Sequence, residues 1–359
     1  MTTIRNPINL NTSIDLLPTI KELTPAYGTI ADSGLFKETP VKTNFLMYEI
    51  EEQDSPRMTK LTSRTERDAV KVSGGKSKAI TVSGKTIKLT GGVHVEDLQN
   101  RLNAFDIEKD ETLQEALVEA TARTYDSWSQ SYEYMLLTAS QGIMRDPADG
   151  AIAINMFTNT GTAQPTATID VSPTSTTLLT DLNALRNQLT ILNGNNGVVS
   201  EIELWVADDV FTAITTNPEL AMIYQLALQG RGQEALNNPY LNGSLNRYIQ
   251  GKYGFYREFR WENFVFRTYP RTFTAQNGNV IKAIADGKGW TVVRGATNAY
   301  EVAFAPASYF SQLGSVGQKV YARTTGIVDD THLDFTIESH LTPIAKRPEL
   351  AVDVTFTLV

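Results

Sequence analysis

The chain has 359 residues, a formal net charge of −8, 41% hydrophobic and 20% charged residues, and no cysteine. This is an ordinary globular composition with material for about two domains. It excludes disulfides, thiolate metal sites and cysteine nucleophiles, and an acidic total argues against broad nucleic-acid binding, which needs Lys and Arg in excess.

No apolar run approaches the length of about 18 residues needed to span a membrane, so no membrane span is expected. The first 24 residues lack the basic-then-apolar order of a secretory signal, and the absence of cysteine suits a reducing cytoplasm.

Residues 1–43 follow no period and read as an extended arm, with one helical turn near Ile14–Leu23. Such an arm buries little alone and is either loose or docked on a partner. Residues 44–92 alternate. Phe45, Met47 and Tyr48 open a strand ending near Glu52, and Ile80, Val82, Ile87 and Leu89 continue a period of two. Between them lie Ser63–Lys78, with Ser73-Gly74-Gly75. This predicts a long two-stranded excursion with a basic tip, which needs a surface to lie on because an isolated ribbon is marginal in water.

The clearest helix is expected over about 110–144. Thr112 and Glu115 fit a capping box, and Leu113, Leu117, Ala120, Thr124, Trp128, Ser131 and Met135 fall on one stripe. Strand and loop follow to Thr176, with strands at Ala151–Phe157 and Ala167–Val171. Helices are then expected at Leu178–Leu192, Asp208–Thr216 and Pro218–Leu228. Strands are expected at Glu201–Val206, Phe264–Thr268, Val280–Ala285 and Trp290–Arg294. This alternation reads as a compact mixed α/β domain. From Tyr300 onward the chain reads as β, and Val352, Val354, Phe356 and Leu358 alternate strictly.

No catalytic constellation is found. The three histidines, His94, His332 and His340, have no metal-ligand spacing, and there is no Gly-x-Ser-x-Gly elbow or phosphate-binding loop. Gly230-Arg231-Gly232 is too short for a dinucleotide fingerprint. His94 with Glu96 and Asp97 is either a metal pair or a solvated turn. No cofactor and no metal are expected.

Charge is segregated instead. Arg57, Lys60, Arg64, Arg67, Lys71, Lys76, Lys78, Lys85 and Lys88 face only Glu66 and Asp68, so this segment is +7 and the remainder −15. The entry of the long helix is acidic: Asp106, Glu108, Asp110, Glu111, Glu115 and Glu119 against Lys109. Acid at a helix start is favoured by the helix dipole, a reason that serves the first turn but explains Glu119 poorly. The basic segment is a solvated loop, a nucleic-acid arm or a protein-binding arm. It holds no Phe, Tyr or Trp for stacking single strands.

Three short stretches carry a family resemblance: Glu133-Tyr134-Met135 with Ala139 and Gly142; Ala303-Phe304-Ala305-Pro306-Ala307 with Gly317-Gln318-Lys319-Val320-Tyr321-Ala322; and Ile337-Glu338-Ser339-His340-Leu341-Thr342-Pro343 with Arg347-Pro348-Glu349. In their order they resemble the major capsid proteins of tailed bacteriophages, in particular the lambda-like capsid protein E family, over about residues 44–359. Asp329-Asp330 stands where that family often has Asp-Pro.

The resemblance implies an α+β tailed-phage major capsid (Johnson) fold. Its parts would be an N-terminal arm at 1–43, an extended loop at 44–92, a peripheral domain at 93–171 and 300–359 with a spine helix, and an axial domain at 172–299. It implies a protein that is not an enzyme but assembles with itself as hexamers and pentamers into an icosahedral shell around double-stranded DNA. Assembly would take place in the host cytoplasm, with scaffold and portal proteins and a decoration protein as partners. DNA would be enclosed without sequence-specific binding, and no membrane is involved. Loop contacts are expected from Arg57, Lys60, Arg64, Arg67, Lys71, Lys76 and Lys78. Their acidic counterparts would be Glu108, Asp110, Glu111, Glu115 and Glu119 of a neighbouring spine. A bacterial shell of the same fold that loads an enzyme cargo is the alternative, and a duplex-binding protein a distant one.

Overall fold

The computed structural model describes residues 16–52, 76–96, 98–99, 109–194, 199–220, 247–328 and 331–358. Two strand-rich units emerge. One holds the described residues of 1–46, 82–136 and 302–343, the other those of 47–81, 137–301 and 344–359.

The first unit is organised on the 14-residue strand His332–Ala345. Leu333, Phe335, Ile337 and Leu341 are buried along it, and Thr336, Glu338, Ser339 and Thr342 are buried between them, so both faces of the strand are covered over most of its length. It pairs antiparallel with Lys85–His94 and with Tyr321–Val328. Tyr300–Ala305 and Lys37–Pro40 extend the sheet beyond it.

The long helix runs Lys109–Ser140, roughly 50 Å at helical rise. Its first half is amphipathic, with Leu117 and Thr121 buried while Glu115 and Arg123 are exposed. From Tyr132 to Ser140 every residue is buried. It departs from expectation at both ends. Lys109, the first described residue of this stretch, is already helical, so Thr112 stands inside the helix. It stops at Ser140, short of 144, because Gly142 turns the backbone left-handed at φ +81. A Cβ on Gly142 would also lie 2.7 Å from the Phe157 ring.

The arm is not loose over its described part. Leu17–Glu22 is a helix, and Leu16, Ile20, Ile30 and Phe36 are buried. The strand Lys37–Pro40, which the aperiodic sequence concealed, joins the first sheet. The apolar residues are spaced too irregularly to show a period, yet each anchors one short element.

The second unit is built on a seven-stranded sheet. Its order is Thr166–Asp170, Asp353–Thr357, Lys288–Arg294, Glu201–Val206, Phe264–Arg267, Gly254–Trp261 and Arg247–Gly251. Helix Leu178–Asn193 buries Leu178, Leu182, Leu185 and Leu189, and helix Asp208–Thr216 buries Val210, Phe211 and Ile214. The expected division placed 166–170 and 353–357 with the peripheral strands. Both lie in this sheet, pairing parallel with each other, while 353–357 also runs antiparallel to 288–294. Val354 and Phe356 are buried there, and local alternation says nothing about which sheet a strand joins.

Other differences are local. Strand Ile152–Asn155 gives way to a helix at Met156–Thr160, where the Asn155 side chain accepts from the Thr158 N–H. The hairpin of 247–251 with 254–261 was unexpected. Its signal is the placing of the aromatic residues Phe255, Phe259 and Trp261 at alternate positions, with Arg257 between them. Strand 264–267 stops at Arg267, and the expected strand at 280–285 is only Val280–Ile281. A helix starts at Pro218 as expected, but 221–228 and Gly230-Arg231-Gly232 lie outside the described residues, as do Asp97 and Asp329-Asp330.

A charge network locks the sheet. The buried Glu203 carboxylate accepts from Arg267 at 2.8 Å, Arg294 at 2.9 Å and the Trp205 indole at 3.3 Å. Glu258 accepts from Arg267 at 2.8 Å and Arg260 at 3.0 Å. Burial pushes the Glu258 carboxyl up, but Arg267 and Arg260 outweigh it and hold the group below the usual carboxylate range. Because the folded value is depressed, its stabilisation is present above the usual carboxylate range and is lost as pH falls through the depressed value.

Glu258→Gln should therefore lower stability at neutral pH by about 1 kcal/mol and flatten the loss of melting temperature below about pH 4; a parent and variant falling in parallel over that range would refute the linkage. Gly142→Ala should cost roughly 1–3 kcal/mol, from its left-handed backbone and the Phe157 contact, read as a shift in chemical denaturation midpoint.

Candidate assembly surface

The residues expected to bind a neighbouring copy sit on separate elements. The strand Phe45–Glu52 pairs with Lys76–Ser83 in a sheet of two strands. Lys76 and Lys78 belong to its second strand, while Arg57, Lys60, Arg64, Arg67 and Lys71 lie outside the described residues. The ribbon does not continue as one piece, since Lys85–His94 leaves it to pair with 332–341.

Of the acidic set, Glu108 lies outside the described residues. Asp110, Glu111, Glu115 and Glu119 are all in the helix 109–140. Glu115 and Glu119 stand one turn apart along it. Glu115 is exposed, and Glu119 is paired with Arg123 one turn on. That pair supplies the local reason for Glu119 that the helix dipole does not. Its sequence signal, Glu-x-x-x-Arg, was there to read. Both side chains remain largely open to solvent, at 43% and 74% exposure, so the pair holds only a few tenths of a kcal/mol.

The resemblance motifs have structural work in the fold. The Glu133 carboxylate is fully buried and accepts the Ile30 and Ala31 N–H groups, tying the arm to the helix. One helical turn pair earlier, Asp126 accepts the Ala26 N–H at 3.0 Å. A Cβ on Gly317 would lie 2.1 Å from the Phe304 carbonyl oxygen, so only glycine lets these two backbones meet. Arg347 closes the C-terminus of helix 178–193, donating to the Asn193 side chain at 2.7 Å and to the Leu192 and Asn193 carbonyls. This is the favourable end of a helix for a cation.

His340 contacts Thr86 at 2.9 Å and Glu338 at 3.4 Å. His94 and His332 face each other across two paired strands with ring centroids 5.5 Å apart, and His332 lies 3.5 Å from Asp334. Among the described residues no group of three or more His, Asp or Glu side chains could hold a metal ion, and no helix is long and apolar enough to cross a membrane.

The first unit carries one further feature that hydropathy alone did not mark. The turn between strands 300–305 and 321–328 exposes Phe310, Leu313 and Val316. Behind it, Arg323 stacks on the Tyr309 ring at 3.5 Å. Burial, followed by a hydrogen bond with Glu338, pushes the Tyr309 hydroxyl up to about 12.

Comparison with known proteins follows the same lines. The chain matches the phage major capsid protein E family over residues 12–356. It is 22% identical, over 366 residues and 95% of both chains, to the major capsid protein of Salmonella phage Felix O1. Among solved structures, it shares its fold with a prophage capsid protein from E. coli CFT073, at a TM-score of 0.59 and 11% identity over 96% of this chain and 100% of the other. The capsid subunit of cyanophage A-1(L) aligns over 99% and 96% of the two chains with a TM-score of 0.48 and 11% identity. Family membership decides between the two shells that the sequence left open, in favour of the phage capsid. The chain belongs to the phage major capsid protein E family, and its role is structural rather than enzymatic, as a major capsid protein of a phage virion.

Proposed function

We propose that copies of this chain gather as hexamers and pentamers and close into an icosahedral shell around double-stranded DNA, with the loop of one copy lying over the spine helix of the next. The observation that carries this reading is the separation of charge in a shell protein. The sequence concentrates +7 between Arg57 and Lys88, of which Lys76 and Lys78 stand on the second strand of the two-stranded ribbon, while Asp110, Glu111, Glu115 and Glu119 stand in a long helix. Opposite charges on different elements of one chain are complementary between copies of it.

In this reading residues 93–171 and 300–359 form the peripheral domain around helix 109–140, and 172–299 form the axial domain that gathers around the symmetry centres. The two strands at 166–170 and 353–357 then tie the axial sheet to chain on both sides of it. DNA is enclosed rather than read. An acidic subunit offers duplex phosphates no general attraction, and the one basic segment is committed to a neighbour. Scaffold and portal proteins, and a decoration protein, are the expected partners, and assembly takes place in the host cytoplasm.

Each exposed ion pair contributes only about 0–1 kcal/mol. A closed shell repeats it at every copy, which is why a weak contact suffices. Charge reversal at Arg64 and Arg67 should reduce the yield of particles in negative-stain micrographs, and reversal of Glu115 or Glu119 in the same chain should restore part of it. If the combined variant assembles no better than the loop variant, the loop and helix are not partners.

A further inference from the structure

The exposed turn at 306–320 has no place in the contact just described. Phe310 is fully exposed at 101%, Leu313 at 87% and Val316 at 44%. Large apolar side chains left this open on a rigid element need a reason.

The turn is rigid by construction. Phe310–Gln312 is a short 3₁₀ helix. The Ser315 hydroxyl returns to the Gln312 carbonyl at 2.7 Å and to its side-chain oxygen at 2.8 Å. Gly317 donates to the Val41 carbonyl at 2.8 Å, and Val41 in turn donates to the Phe304 carbonyl at 2.8 Å. Tyr309, next to Phe310, is held by Arg323 and Glu338. The apolar residues are therefore presented in a fixed geometry, with little ordering entropy left to lose on contact.

From Val302 to Gln318 there is no charged residue, in a chain of net −8. Two copies approaching through most of their surface meet like charge. This turn brings no such repulsion, and uncharged apolar side chains on two copies can bury one another. We infer that the 306–320 turn is a second self-association surface, where Phe310, Leu313 and Val316 pack against the same turn of neighbouring copies around a rotation axis of the shell.

The size of the patch also points to a repeated copy. Three such side chains offer on the order of 400 Å², at the upper end of what monomers leave exposed. That is about half the roughly 800 Å² per partner of a stable two-body interface. It holds only when several contacts close together, as rotational symmetry provides.

The inference rests on the shell reading, and a chain without cysteine gives a direct test of it. Leu313→Cys places one thiol in the turn. Ile191→Cys, at a site 79% exposed on the other unit, reports background. Mild oxidation of assembled particles should yield covalent dimers from Leu313→Cys at least about tenfold above Ile191→Cys, since a disulfide needs Cα atoms within about 7 Å. Intact particles with dimers no more frequent than background overturn the turn-to-turn contact and leave the shell standing. Should the parent chain form no particles, the shell reading falls, and oxidation of the concentrated protein then decides the turn by the same comparison. Phe310→Asp gives a second readout. It should leave the melting temperature of the unassembled subunit unchanged, because the side chain touches nothing within it, while lowering particle yield roughly tenfold. Unchanged yield would also overturn the contact.

Discussion

A fully buried carboxylate on a helix is tolerable only when hydrogen-bond donors are brought to it. Glu133 stands in the part of helix 109–140 where every residue from Tyr132 onward is covered, and the Ile30 and Ala31 N–H groups are the donors. This single requirement settles the course of the arm. With 30–31 fixed on the helix, Ile30 and Phe36 are drawn into the interior, and the chain is delivered to the sheet edge as strand 37–40. Val41 then bridges Phe304 and Gly317. The arm, the helix and the exposed turn are one connected piece of structure, set out from one ion.

Much of this could be read in the sequence because much of it is periodic. Helices 178–193 and 208–216 announce themselves by spacing, since each buries one face, and strand 201–206 by a short apolar run that is buried on both faces. What could not be read is non-local. Strand 353–357 alternates clearly, yet nothing in its residues distinguishes the sheet it joins. Strand 37–40 lacks any period because it is short and mostly exposed, and it exists through its pairing with 300–305. Hairpin 247–261 was hidden by charge. Arg257 is buried against the Phe211 ring and pairs with Asp208, and Glu258 pairs with Arg267, contacts that no local spacing announces.

The assembly surface was legible in a different way. Sequence marks where charge is concentrated but not what already neutralises it, and Arg123 was overlooked as the neighbour of Glu119. It also marks apolar residues without telling buried from presented. Phe304 and Phe310 are six residues apart in a stretch of uniform composition. One is in the core and the other is wholly exposed. Gly317, which has no Cβ, lies directly against the Phe304 backbone where the intervening turn closes. The same glycine was noticed only as part of a family motif.

The two proposed contacts answer differently to solution conditions. Interaction between a +7 loop and an acidic helix is screened by salt, with a Debye length of about 10 Å at 0.1 M and about 3 Å at 1 M. General repulsion between copies of net −8 is screened by the same ions. Contact at an uncharged turn is not weakened by salt, and strongly hydrated salts strengthen apolar burial. Raising ionic strength therefore removes loop-to-helix attraction and whole-subunit repulsion together while leaving the turn intact. Low salt favours recognition by charge, and high salt favours retention by apolar contact. A shell that used only the first would loosen as salt rose, and one that used only the second would have little to orient its subunits before they touched.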